Sequence, residues 1–375
     1  MYQSAASMFK NKKVLILGFG REGMSTYRFL RNMYPDMHLT IADKNEIKLD
    51  DKNVTLICGD SYMDSLNDFD IVMKSPGIAF LDVDIKDGTL VTCQTDLFLK
   101  FAPCRKVGIT GSKGKTTTST LIYDMLKEGG FDARLIGNIG VPVLEDINTV
   151  TPETIAVIEM SSHQLEFTTS SPEVAVLTNI YEEHLDHYRD GFRGYVNAKL
   201  NIVRRQKEGD TFIYNATQGL DGLCDLGKIK SHKVGVKKDA PLPFAVNNEH
   251  LLGEHNRQDI LFAFEAAKHF GVDIAAAERA VEKFSGIEHR MEKVGTFRGI
   301  TFYNDCIATI PHAVECAVEA LKNVDTLIFG GMDRGLDYSE FENYLKKSNI
   351  KNLIGTPATG HKICDKIEGA PQKNV

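Results

Sequence analysis

The sequence predicts an α/β protein organised as three successive domains, and three observations carry that reading. Short apolar runs alternate with stretches of helical periodicity along the chain, the pattern of βαβ units around parallel sheets. The first two series of runs each open on a strand that ends in a glycine-rich turn, the local structure that exposes backbone N–H groups to an anion. The chain, at 375 residues, is too long for one average domain, and its 42% apolar and 25% charged residues are those of an ordinary globular protein.

The elements follow in order. "KVLILG" (13–18), "LTIAD" (39–43) and "DIVMKSPG" (70–77) read as parallel strands, each ended by a Gly, Asp or Pro turn. A second series comprises "KVGITG" (106–111), "TIAVIEM" (154–160), "VAVLTN" (174–179) and "TFIYN" (211–215). A third begins at "GITFYND" (299–305) and continues with "DTLIFGG" (325–331) and "NLIGT" (352–356). After "KGKTTTST", the apolar residues Leu121, Ile122, Met125 and Leu126 mark the inward face of a helix that ends at Gly129-Gly130. The seams fall near Cys104 and Gly286, giving domains 1–104, 105–287 and 288–375.

Composition excludes several classes. A net charge of -7 and a pI near 5.9 argue against a nucleic-acid or anionic-membrane surface as main partner. "MYQSAASMFKNKK" lacks the apolar centre of a signal peptide, and no apolar run is long enough to span a bilayer. The seven cysteines include no C-x-x-C pair, which excludes a zinc ribbon and fits reduced thiols in the cytoplasm. The expected state is a cytoplasmic monomer.

Two glycine turns carry the chemistry. "GFGREG" (Gly18, Gly20, Gly23) follows a strand and opens a helix, and Asp43 lies 20 residues beyond at the end of the next strand. That is the dinucleotide fingerprint with its ribose-binding acid, so an NAD-dependent dehydrogenase is one reading. The motif itself promises only an anionic group at a helix N-terminus, and any diphosphate satisfies it. The second turn, "TGSKGKTTT" (110–118), departs from the P-loop spacing G-x-x-x-x-G-K-[ST], since Ile109 stands where the first glycine belongs. It keeps every part the chemistry needs. Gly111 and Gly114 allow close backbone approach, Lys115 is the point charge, and Thr116 opens the helix as a candidate Mg²⁺ ligand.

Further candidates sit at the C-terminal ends of the following strands, where open α/β sheets place their ligands. Glu159 ends "IAVIE", ahead of Ser161-Ser162, and is suited to a metal or its water. His184, Asp186 and His187 gather in "TNIYEEHLDHY" (178–188); a zinc pair of the two histidines lacks a third ligand nearby in sequence.

"TGSKGKTTT" resembles the T-G-[TS]-x-G-K-[ST]-[ST] loop of the Mur ligase family, a shortened relative of the Walker A loop. "GNIG" (137–140), "EMSSHQLE" (159–166), "YVNAK" (195–199), "GEHNRQD" (253–259), "HRME" (289–292), "YNDCIAT" (303–309) and "GGMDRGLD" (330–337) follow in the family's order. With "GFGREG" and "SPGI" (75–78) they look most like its MurD branch, over residues 12 to 365. The resemblance implies a Rossmann-like first domain, a P-loop-type ATPase centre and a third Rossmann-like domain. It implies an ATP-dependent ligase of peptidoglycan precursor synthesis, adding glutamate to UDP-N-acetylmuramoyl-L-alanine through an acyl phosphate.

Residue by residue, the resemblance implies that Gly111, Ser112, Lys113, Gly114, Lys115, Thr116 and Thr117 hold the phosphates of ATP. Thr116 and Glu159 would bind one Mg²⁺, and His184 with a carbamylated Lys199 a second. Asn256 and Asp259 would lie toward adenine, and Arg290 and Asp305 would reach the nucleotide from the third domain. The first domain would hold UDP through Gly18, Gly20 and Gly23, with Asp43 and Lys44 near uracil and Ser75 and Gly77 near the nucleotide or sugar. Asn138, Ser161 and Gln164 would line the path to the reacting carboxylate, and Thr309 and Arg334 would serve the incoming amino acid.

This chain departs from the family pattern in four places. Ile307 and Arg334 each replace a lysine, Asp259 replaces the second Asn of H-N-x-x-N, and His163 stands where Phe is common. Arg334 keeps a charge suited to a carboxylate, whereas Ile307 does not. D-glutamate is the expected amino acid, with L-glutamate left open by these changes. Only about ninety residues follow Gly286, so the third domain is expected to be incomplete. Other readings remain open at this point: another Mur-family ligase such as the L-alanine-adding type, or a nucleotide-binding remnant without catalysis.

Overall fold

The computed structural model describes residues 7–139, 141–333, 335–367 and 373–374. The chain forms two compact units, one of Met1–Val246 with Gln258–Glu282 and one of Asn247–Arg257 with Lys283–Val375. Among the described residues no helix is long and apolar enough to cross a membrane.

The first unit holds two parallel sheets. In one, β1 (Val14–Leu17), β2 (Leu39–Asp43), β3 (Val54–Cys58), β4 (Ile71–Lys74) and β5 (Leu90–Thr92) lie in the order β3-β2-β1-β4-β5. The order reverses beside β1, so the turn after β1 opens at the switch point where such sheets bind ligands. Helix α1 (Arg21–Met33) leaves that turn, and α2 (Gln94–Phe101) leads to the second sheet. There β6 (Arg105–Thr110) is central, flanked by β8 (Ile155–Glu159) and β9 (Val174–Leu177). β7 (Ala133–Gly137) extends one side, and β10 (Thr211–Asn215) and β11 (His232–Val236) the other. β1, β4, β8 and β9 are buried along their whole length, which is why they read as continuous apolar runs rather than alternating ones, broken only by the terminal Lys74 of β4 and Glu159 of β8.

Helix α3 (Lys115–Glu128) follows the second glycine turn with Leu121, Ile122, Met125 and Leu126 fully buried, the face the spacing indicated. It stops because Gly130 adopts φ +82° and lets Phe131 N donate to Leu126 O. Two further helices carry site residues: α4 (Ser162–Leu165) directly after β8, and α5 (Phe192–Arg204) before β10.

The third series of strands divides. β12 (Glu292–Phe297) and β13 (Ile300–Asn304) form an antiparallel hairpin, so "GITFYND" does not open a parallel sheet. The cause is the two-residue turn between them: Arg298 and Gly299 both have positive φ, +51° and +79°, as a hairpin of this length requires. β14 (Thr326–Gly330), β15 (Asn352–Thr356) and β16 (Lys373–Asn374) make a separate parallel sheet.

At the N-terminal edge of the second sheet, away from the glycine turn, Glu173 pairs with Arg105 and with His269 Nε2 at 3.0 Å. Burial alone would raise its pKa, but His269 and Arg105 outweigh it and hold the carboxyl at about 2, against an ordinary 4.5. Between those values the unfolded chain binds the extra proton, so the pair's contribution is complete above pH 4.5 and is lost as pH falls through about 2. Urea midpoints measured from pH 5 to pH 2 should show a shallower acid decline for Glu173→Gln than for the parent. Identical slopes would remove Glu173 as a source of acid sensitivity.

Candidate active site

The turn after β6 is shaped by what its glycines avoid. A Cβ on Gly111 would meet Thr178 Oγ1 at 1.9 Å, and one on Gly114, at φ +82°, would meet Asp259 Oδ1 at 2.4 Å. The turn rests on the end of β9: Lys113 N donates to Asn179 Oδ1 at 2.8 Å, and Thr178 Oγ1 and Asn179 Nδ2 donate to Lys113 O. Ser112 is buried with its hydroxyl 2.6 Å from Tyr195 Oη. Lys115 Nζ curls back to donate to Gly111 O at 2.9 Å and Ser112 O at 3.0 Å, placing its charge inside the loop. Thr116 and Thr117 start the helix behind it, where the macrodipole favours an anion. Asp259 lies against this loop, accepting from Thr118 Oγ1 at 3.2 Å.

The ends of the neighbouring strands converge on the same place. Glu159, the last residue of β8, is 1% exposed; its Oε1 accepts from Asn138 Nδ2 at 2.7 Å. Its Oε2 is buried without a hydrogen-bond partner among the described residues. Lys199, on α5, is also buried and donates from Nζ to Gly111 O at 2.7 Å. Burial, and then the charge of Lys115, lower its pKa well below the ordinary lysine value. His184 caps the 3-10 turn Leu185–His187 at φ +56°, ψ +36°, a left-handed conformation that costs a non-glycine residue on the order of 1–3 kcal/mol. Lys113 Nζ pairs with Glu183 at 3.1 Å just before it.

The first glycine turn is built on the same rules. Gly18 has φ +87°, and a Cβ on Gly23 would lie 1.9 Å from Gly18 O. Phe19 N donates to Asp43 Oδ2 at 2.6 Å, so Asp43 braces the turn as well as ending β2. Ser75 Oγ donates to Gly18 O at 3.0 Å. Ser161 and Gln164 form a capping box on α4, and Gln164 Nε2 reaches Glu22 Oε1 on α1 at 2.8 Å.

Two family models match the chain: the MurD-like N-terminal domain of Mur ligases over residues 12–91, and the Mur ligase middle domain over residues 109–250. A UDP-N-acetylmuramoylalanine–D-glutamate ligase of Clostridium kluyveri is 33% identical over 396 aligned positions, covering 97% of this chain and 84% of that relative. One of the same name from Ligilactobacillus salivarius is 34% identical, covering 90% and 80%. The chain belongs to the Mur ligase family. Solved Mur ligases share its fold at low identity. MurF of Thermotoga maritima, in complex with ADP, has a TM-score of 0.60 at 16% identity over 93% of this chain and 82% of that one. MurC of the same organism gives 0.58 at 18% over 97% and 90%.

In this Mur ligase the remaining candidates belong to the second unit. Asn256 is buried and donates to Leu252 O at 2.8 Å. Asp305 Oδ1 accepts from Met291 N at 3.0 Å, which ties it to the residue after Arg290. Arg290 Nε is buried without a partner among the described residues. Ile307 is exposed, and Arg334 lies outside the described residues.

The donor set fits hard divalent cations. An orphaned buried carboxylate oxygen on Glu159 and the Thr116 hydroxyl are oxygen ligands of the kind Mg²⁺ takes beside substrate phosphates. Among the described residues no group of three His, Cys, Asp or Glu side chains could hold a metal unaided, so such a site depends on other oxygens as well.

Sequence reasoning passed over several participants. Glu183, Thr178 and Asn179 stood inside "TNIYEEHLDHY" without being singled out. Lys74 is a single charge in an otherwise buried apolar strand, and that mismatch was the available signal.

Proposed function

We propose that this Mur ligase joins D-glutamate to UDP-N-acetylmuramoyl-L-alanine with hydrolysis of ATP, as a cytoplasmic monomer in peptidoglycan precursor synthesis. The observation that carries the reading is the pair of glycine turns in one unit, with Lys115 and Lys199 both bonded to Gly111 O inside the second. No nicotinamide chemistry calls for that second loop. The D-glutamate assignment follows the names of the relatives, which this chain matches over nearly its whole length.

The substrate carboxylate attacks the γ-phosphorus of ATP, giving an acyl phosphate and ADP. The amine of glutamate then attacks the acyl carbon, phosphate leaves, and the amine loses its proton. The obstacle is electrostatic, because an anion must approach a triphosphate. We assign Gly111 to Thr117 to the phosphates, with Lys115 offsetting charge on the transferring group. Thr116 and Glu159 would hold one Mg²⁺, and His184 with a carbamylated Lys199 another. Bound there, the cations supply charge neutralisation and orientation of the phosphate oxygens. Asn138 holds Glu159 in place, and Ser161 and Gln164 orient the substrate arm.

Gly18, Gly20, Gly23, Asp43, Lys44, Ser75 and Gly77 are assigned to the UDP-sugar. Asn256, Asp259, Arg290 and Asp305 are assigned to the nucleotide, and Thr309 and Arg334 to the amino acid. The domain division 1–104, 105–287 and 288–375 is part of the proposal.

Phosphate release measured with ATP, Mg²⁺ and UDP-N-acetylmuramoyl-L-alanine against a panel of D- and L-amino acids tests it. Release dependent on D-glutamate is expected. Release with L-glutamate alone would overturn the stereochemistry, and no release with any amino acid would overturn the ligase assignment.

A further inference from the structure

The left-handed backbone at His184 needs something to hold it. His187 N donates to His184 O at 3.1 Å, which closes the turn but leaves its far end to be fixed. That end is the buried ring of His187, whose Nε2 lies 3.3 Å from Glu166 Oε2. The same carboxylate oxygen receives Lys74 Nζ at 3.1 Å. Lys74 is 4% exposed at the end of β4, with its ammonium over the rings of Phe80 and Phe167 at 5.5 and 5.3 Å. It immediately precedes Ser75, which holds the first glycine turn. The ring of His163 packs between the other two histidines, its centroid 3.9 Å from that of His187 and 4.7 Å from that of His184.

Lys74 is buried and Glu166 is partly buried, 17% exposed, and an ion pair so far withdrawn from water is a poor way to gain stability, since apolar side chains of the same volume serve as well or better. Its value lies in direction. One oxygen of Glu166 joins the end of β4 in the first sheet to the turn that carries His184 in the second.

We propose that Lys74 and Glu166 are positioning residues, acting through His187 to keep His184 in the left-handed conformation that aims its ring at a divalent cation. The inference rests on the reading of His184 as a cation ligand. It adds a physical link between the substrate loop at Ser75 and the metal side of the site. Outer partners of a ligating histidine set metal affinity by about 10–100-fold in general.

The test uses Mn²⁺ as the probe, titrated into the full chain with ADP and followed by electron paramagnetic resonance. His187→Phe keeps the ring packing and removes the bond to Glu166. It should weaken one Mn²⁺ equivalent by about tenfold, leave the other unchanged, and leave the thermal midpoint near that of the parent. His187→Gln, which restores a donor, should recover part of the affinity. Lys74→Met combined with Glu166→Gln removes both charges together, avoids an unpaired buried ion, and should weaken the same equivalent.

In steady-state assays the variants should need more Mg²⁺ for half-maximal rate at an unchanged KM for ATP. Parental Mn²⁺ affinity in both His187→Phe and the double variant overturns the proposal, as does a parent that binds no Mn²⁺. If the parent releases no phosphate yet His187→Phe still weakens Mn²⁺, the positioning role stands and the ligase reading falls.

Discussion

Lys199→Ala is expected to lower phosphate release by roughly 10²–10³-fold, the scale of losing one preorganised electrostatic contact at a transferring group. Millimolar formate, acetate or bicarbonate should restore part of it by entering the space left behind. The reasoning starts from burial. Lys199 is 2% exposed, with Nζ bonded to Gly111 O and lying 4.7 Å from the centre of the Tyr195 ring. An ammonium there is costly, so the group gives up its proton more readily than a surface lysine does.

A neutral amine adds to carbon dioxide, releasing a proton and giving a carbamate with two oxygens where a cation had been. The carbamate nitrogen keeps one N–H, enough for the bond to Gly111 O. The same burial sets the pH behaviour. With the folded pKa below the unfolded one, the unfolded chain holds more protons between them, and stability rises with pH in that window. That slope should disappear in Lys199→Ala, whose lost packing lowers stability by the same amount at every pH and so leaves the slope as the readout. Full phosphate release by Lys199→Ala would end the carbamate hypothesis.

The parts of this site that could be read from sequence are those where local geometry dictates residue type. Only glycine fits at Gly23, against the backbone Gly18 O, and at Gly114 a left-handed φ of +82° beside the Asp259 carboxylate strongly favours it. The helix after the second turn was equally legible, because Leu121, Ile122, Met125 and Leu126 repeat at helical spacing. Pairs formed by the fold were not. Glu166 is separated from Lys74 by 92 residues, and Gln164 from Glu22 by 142, and no periodicity reports such partners.

Strands β3 and β11 were missed and both are sheet edges; β11, "HKVGV" (232–236), has only two apolar side chains to signal it, whereas β3, "VTLIC" (54–58), carries a legible apolar run. The hairpin β12–β13 was missed for a different reason. Its turn, Arg298-Gly299, puts an arginine where asparagine or aspartate is the usual signal for positive φ.

Lys115→Met is expected to lower phosphate release by a similar order, about 10²–10³-fold, and its coupling to Lys199 makes it the sharper test. Lys115 acts in three places at once. Its ammonium is bonded to Gly111 O and Ser112 O inside the phosphate loop. After burial, it is the foremost charge lowering the pKa of Lys199. Burial also pushes Glu183 up, and Lys113 and Lys115 overcome it and hold that carboxyl at about 2. Removing Lys115 therefore takes a cation from the phosphates and also lets Lys199 keep its proton more often, which disfavours the carbamate. The two losses overlap. The double variant Lys115→Met, Lys199→Ala should fall no more than about tenfold below the weaker single variant, far short of the product of the two effects. Multiplicative losses would mean that the lysines act independently, and the shared bond acceptor at Gly111 O would then carry no functional coupling.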